Sequence, residues 1–71
     1  MKFKKGQVVE YKNPHPSHDW SNGFYVITKV HDNKDYSMRQ LNMKSLKLTL
    51  GNSITNDTYL TATDLNYNLE G

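Results

Sequence analysis

The run His15-Pro16-Ser17-His18-Asp19-Trp20 sets two imidazoles three positions apart beside a carboxylate, and a third imidazole, His31, follows in a later polar stretch. Imidazole nitrogen and carboxylate oxygen are zinc donors, and a loop folded back on His31 would add a third nitrogen. The chain has no cysteine to supply thiolate. Histidines not tied together by sequence are ordinary surface-loop residues, so no metal and no cofactor is expected. The same run holds the serine, histidine and aspartate of nucleophilic hydrolysis, yet neither a strand-turn-helix nucleophile elbow nor a phosphate loop surrounds them. Gly6, Gly23, Gly51 and Gly71 are scattered, and Asn22-Gly23 and Gly51-Asn52 read as turn chemistry. With 71 residues there is little volume for a deep pocket, and no enzyme is expected.

Short apolar segments must position these residues. They cover 6–12, 23–30, 36–41, 46–50 and 58–69, the last interrupted at 62–65. None sustains the three-to-four residue spacing of a helix, and most alternate or are rich in Val, Ile, Thr and Tyr, which predicts an all-β domain. In the first segment Val9 and Tyr11 share one face, and Val8 on the other indicates that part of that second face is covered as well. Phe3 is placed to cap one end of the core. Residues 13–22 hold both prolines and form a structured loop that ends at the Asn22-Gly23 turn.

The second strand changes phase. Tyr25 and Ile27 point inward together, and Val30 joins them only through a bulge near Thr28-Lys29, the kind of bend that lets a small sheet close. Residues 31–35 are a polar turn. In the third strand Tyr36 and Met38 pack while Arg39 faces solvent. Leu46, Leu48 and Leu50 alternate cleanly and are expected in the core. Residues 62–65 break the alternation and suit one 3-10 turn, after which 66–69 returns to extended form.

One domain, residues 1–71, is all that this length allows, and such a chain buries roughly 60% of the surface its unfolded form exposes. Stability must come from packing, because no disulfide can supplement it. The net charge of +2 is too modest to establish nucleic-acid binding, and the lysines are dispersed. Lys2, Lys4 and Lys5 precede Gly6 with no apolar stretch behind them, so neither a signal peptide nor a membrane partner is read, and a cytoplasmic location is the default.

With these parts placed, the chain resembles a small SH3-like β-barrel of about five strands with one short 3-10 turn. Phe3-Lys4-Lys5-Gly6-Gln7-Val8-Val9 looks like the opening of that family, 13–22 like its long first loop, and 62–65 like its 3-10 turn. The opening is also similar to the nucleic-acid-binding KOW subset, although the further glycines after its first strand are missing. The Ala-Leu-Tyr-Asp-Tyr signature of peptide-binding SH3 domains is absent. In the family, the first loop, the loop after the second long strand and the 3-10 turn converge on one face. The resemblance implies that this face gathers Tyr11, His15, His18, Trp20, residues 31–35, Thr63, Asp64 and Tyr67.

Trp20, the only tryptophan, either lids one end of the core or anchors an interface, and exposed Trp and Tyr are enriched at binding hot spots. The expected function is a non-catalytic module that contacts another protein through Tyr11, His15, His18, Trp20, Asp64 and Tyr67. Small size and a composition rich in asparagine and lysine point to an accessory or host-modulating protein of a phage or other mobile element, working in the host cytoplasm. The alternative is a nucleic-acid-binding barrel in which Lys29, Arg39, Lys44 and Lys47 neutralise phosphates while Tyr25 or Tyr36 stacks on bases.

Overall fold

The computed structural model describes residues 3–18 and 22–69 and is built from strands. These are β1 (Gln7–Tyr11), β2 (Phe24–Val30), β3 (Asp35–Asn42), β4 (Lys47–Leu48), β5 (Ser53–Asn56) and β6 (Leu60–Asn66). Two single-turn 3-10 helices, Asp32–Lys34 and Asp57–Tyr59, complete the regular structure of the described residues. All strand pairs are antiparallel, in the order β4-β3-β2-β1-β6, with β5 also on β3. β4 pairs with Leu41 and Asn42 while β5 pairs with Asp35 to Met38. The six strands therefore fill five positions, the fifth shared end to end.

The phase change in β2 is a bulge. Its register against β3 slips between Ile27 and Lys29, which returns Val30 to the side of Tyr25 and Ile27. That side carries the main core of Phe3, Val9, Tyr25, Ile27, Tyr36, Met38 and Leu60, with Tyr11 and Val30 packed against it. Neighbouring strands lie about 4.8 Å apart, so on a flat sheet β1 and β5, with β2 and β3 between them, would stand about 14 Å apart. Instead Tyr11 Oη lies 3.3 Å from Thr55 Oγ1, which requires the sheet to curl over this core. Phe3 closes one end: its N–H donates to Tyr36 Oη at 3.2 Å, and the two rings meet edge to face at 5.2 Å.

The opposite face is covered too, as Val8 indicated. Val8, Val26 and Leu41 form a second buried cluster, flanked by Phe24, Leu48, Tyr67 and Leu69. Gly6 ties this side together. It adopts φ +91°, donates to Ile27 O at 2.7 Å and accepts from Tyr67 N–H at 2.7 Å.

Two local expectations are corrected. The leucine stripe at 46–50 is not core: Leu46 is 61% and Leu50 96% exposed, and only Leu48 packs, half-buried, on the second cluster. A tight turn is the cause. Asn42 Oδ1 accepts from the N–H groups of Lys44 and Ser45, Leu46 N–H donates to Asn42 O, and Leu46 takes φ +58°, which removes it from the strand. Only Lys47 and Leu48 then pair, so the alternation has too little strand to act on.

The break at 62–65 is not a 3-10 turn either. It lies inside β6, where Thr63, Asp64 and Leu65 pass opposite Val8 alone between the pairs Val9 with Ala62 and Gln7 with Asn66. Thr63 Oγ1 donates to Val8 O at 2.7 Å and accepts from Leu65 N–H at 3.1 Å, so a side chain bridges the interrupted ladder. The 3-10 turn lies upstream at Asp57–Tyr59, where Asn56 caps it by accepting from Thr58 N–H. Beyond Asn66 the chain leaves the sheet, and Tyr67 lies across the second cluster. No helix of the described residues is long and apolar enough to cross a membrane.

Candidate recognition face

Three segments meet around the 57–59 turn. Lys12 N–H, at the start of the first loop, donates to Tyr59 O at 3.0 Å. Asn56 Nδ2 donates to Asp35 Oδ1 at 3.0 Å, joining the same turn to the end of the β2–β3 connection. Tyr11 lies beneath the junction, half-buried, its ring edge-to-face with Tyr25 at 5.4 Å and its hydroxyl against Thr55. The first loop, the β2–β3 connection and the 3-10 turn thus converge, but with the turn at 57–59 the aromatic presented there is Tyr59, 63% exposed. Tyr59 escaped the sequence reading. Its signal was Asn56-Asp57-Thr58, an Asx cap ahead of a turn.

The first loop is held by its own polar groups. His18 N–H donates to His15 O at 3.0 Å, and Asn22 Nδ2 donates to the carbonyls of both His15 and His18, at 2.6 and 2.8 Å. His15 Nδ1 accepts from Ser17 N–H and sits 2.7 Å from Ser17 Oγ. The two exposed imidazoles lie 4.6 Å apart, tilted by 33° to one another. These bonds tie the described ends of the loop, 13–18 and Asn22, to each other, and residues 13–18 are exposed. Asp19 and Trp20 lie outside the described residues.

The other candidates are dispersed. Tyr67 belongs to the second cluster, on the face opposite Tyr11, and its hydroxyl donates to Leu46 O. Asp64 is exposed in the β6 bulge. Among the described residues no three His, Cys, Asp or Glu side chains gather to hold a metal ion, and His31 Nε2 is engaged by Ser37 Oγ at 2.5 Å. That serine–histidine pair fastens the β2–β3 connection to β3. Ser37 is 5% exposed, and His31 has no carboxylate partner among the described residues.

Of the cations, Lys29 pairs across strands with Ser37 and Arg39 with Val26, so alternation puts both on the second-cluster face. Arg39 Nε donates to Thr49 O at 2.6 Å. Lys47 alternates with Leu48 and turns to the other side, and Lys44 lies in the hairpin turn. The stacking aromatics of the nucleic-acid reading are corrected: Tyr25 and Tyr36 are 5% and 1% exposed, because their strand positions face the main core.

No family model, curated protein or solved structure matches this chain. Function is therefore to be read from the face itself.

One titration is built into its base. Burial pushes the Tyr25 phenol above its ordinary range, and the adjacent Tyr11 phenol pushes it the same way. The unfolded chain then ionises first, so stability is fully present below about pH 10, the unperturbed tyrosine value, and is lost as pH rises through the folded value. Denaturant titrations above and below that point should show a falling midpoint, and Tyr25→Phe should flatten the fall. An equally steep fall in the variant would exclude Tyr25 as the source.

Proposed function

We propose that this chain is a non-catalytic binding module of SH3-like architecture that acts by contacting another protein through the face around the 57–59 turn. The observation that carries this reading is the convergence of three segments on the turn that presents exposed Tyr59, one of them the first loop, whose exposed His15 and His18 carbonyls are tied by Asn22. A pinned loop loses little conformational freedom on docking, and an exposed tyrosine supplies contact area at low entropic cost. The order of parts supports the architecture: a strand, a long loop, three sheet positions, a 3-10 turn, then a last strand returning to the first. Small size and composition fit an accessory protein of a phage or mobile element in the host cytoplasm.

The test is capture of a partner from host lysate followed by titration of that partner against variants. Tyr59→Ala, His18→Ala and Trp20→Ala should each weaken binding by about 1 kcal/mol or more. Lys44→Ala and Lys47→Ala should change little. A captured nucleic acid would defeat the proposal, with affinity falling steeply in salt and depending on Lys29 and Arg39 rather than on the face.

A further inference from the structure

The sheet has two outer edges, and they differ. On β6 the ladder is broken by the bulge at 63–65, and Asp64 sits exposed within it. A bulge and a charge are the devices by which natural edge strands refuse further strands. On the other edge, β5 pairs with β3 on one side only among the described residues. It carries neither device. From Thr49 to Asn56 the sequence holds no charged residue and no proline, and its apolar side chains stand in solvent, Ile54 at 65% and Leu50 at 96% exposed.

We propose that the outer edge of β5 at Ser53 to Thr55 is a strand-pairing site for a second copy of this chain. Two copies of a strand pair antiparallel about a two-fold axis, and directly opposed residues must point to the same face of the joint sheet. Position i therefore faces a position of the same parity. Centred on Ile54, the register sets Ile54 against Ile54 of the second copy, Ser53 against Thr55, and Asn52 against Asn56. The ladder ends there, because Asp57 begins the 3-10 turn. No like charges meet, the two isoleucines cover one another, and Ser opposite Thr is a favourable cross-strand pair. The uncharged run suits its own image, whereas the lysines and carboxylates elsewhere on the chain would confront themselves. This inference goes beyond the proposed function and does not depend on the face around Tyr59.

Sedimentation equilibrium of the purified full chain, from micromolar to millimolar concentration, tests it without any other partner. The wild-type mass should climb from 8.3 kDa towards twice that value. Ile54→Lys and Ile54→Glu should each stay at 8.3 kDa, because each sets like charges face to face. An equimolar mixture of the two variants should associate again, since lysine then meets glutamate. Leu65→Lys, on the guarded edge, should associate as the wild type does. The exposure of Ile54 makes both of its variants compatible with folding, which circular dichroism would check. A wild type fixed at 8.3 kDa overturns the proposal, as does self-association of either Ile54 variant alone, a mixture that fails to associate, or loss of association in Leu65→Lys.

Discussion

Tyr36→Ala is expected to cost about 3–5 kcal/mol, the range for removing a buried aromatic ring. At roughly 0.05–0.15 kcal/mol per residue, a 71-residue domain has about 4–11 kcal/mol in all, so this one change consumes much of it. Tyr36 is 1% exposed, packs edge to face on Phe3 and accepts the Phe3 N–H through its hydroxyl. Tyr36→Phe keeps the ring and loses only that bond, for about 1 kcal/mol. Leu50→Ala, at a side chain 96% exposed, should leave the denaturation midpoint where it is. A Tyr36→Ala midpoint close to that of Leu50→Ala would remove Tyr36 from the core.

Gly6→Ala should be the most damaging change at an uncharged turn position. The residue sits at φ +91°, where an L side chain is strained, and an added Cβ would lie 2.9 Å from Tyr67 O. The neighbour that must yield is backbone, held by the bond from Tyr67 N–H to Gly6 O, while Gly6 N–H is bonded to Ile27 O. Backbone strain of this kind costs about 1–3 kcal/mol, and the close contact adds to it. Gly51→Ala is the matched control, since its added Cβ meets nothing within 4 Å. Thermal scans of the two variants should differ by many degrees; equal melting temperatures would show that the Gly6 turn can relax.

What was legible in the sequence was whatever depends on phase. The β2 bulge followed from Ile27 and Val30 being out of step, and the covered second face followed from Val8 beside Val9. What was not legible was how far a pattern would pair. Leu46 to Leu50 alternates as a core strand does, but the turn geometry of Asn42 and Leu46 leaves only two residues in the ladder. Likewise, a break in alternation looks the same whether it is a turn or a bulge, and the hydroxyl of Thr63 made it a bulge. That ambiguity carried into the site. With the turn read at 62–65, Asp64 and Tyr67 were grouped with the loops, whereas Asp64 lies in the β6 bulge, Tyr67 packs on the second cluster and Tyr59 is the exposed aromatic of the turn. The resemblance to an SH3-like barrel implied a meeting of the loops with a turn at 62–65, whereas the bonds from Lys12 and Asn56 gather their segments at the turn 57–59, whose position no alternation in the sequence marked.

The pairing of β1 with β6 also governs how the chain reaches this state. The first strand of the sheet to be synthesised is bonded to the last, Leu60 completes a core begun by Phe3 and Val9, and Tyr67 closes on Gly6. No growing stretch that stops short of β6 contains both sides of that seam. Until residue 60 has emerged from the ribosome, β1 has an open edge and the main core lacks a wall. Folding is thereby postponed until the whole sheet has been made and depends on contacts distant in sequence, which places this small chain with the slower folders of its length.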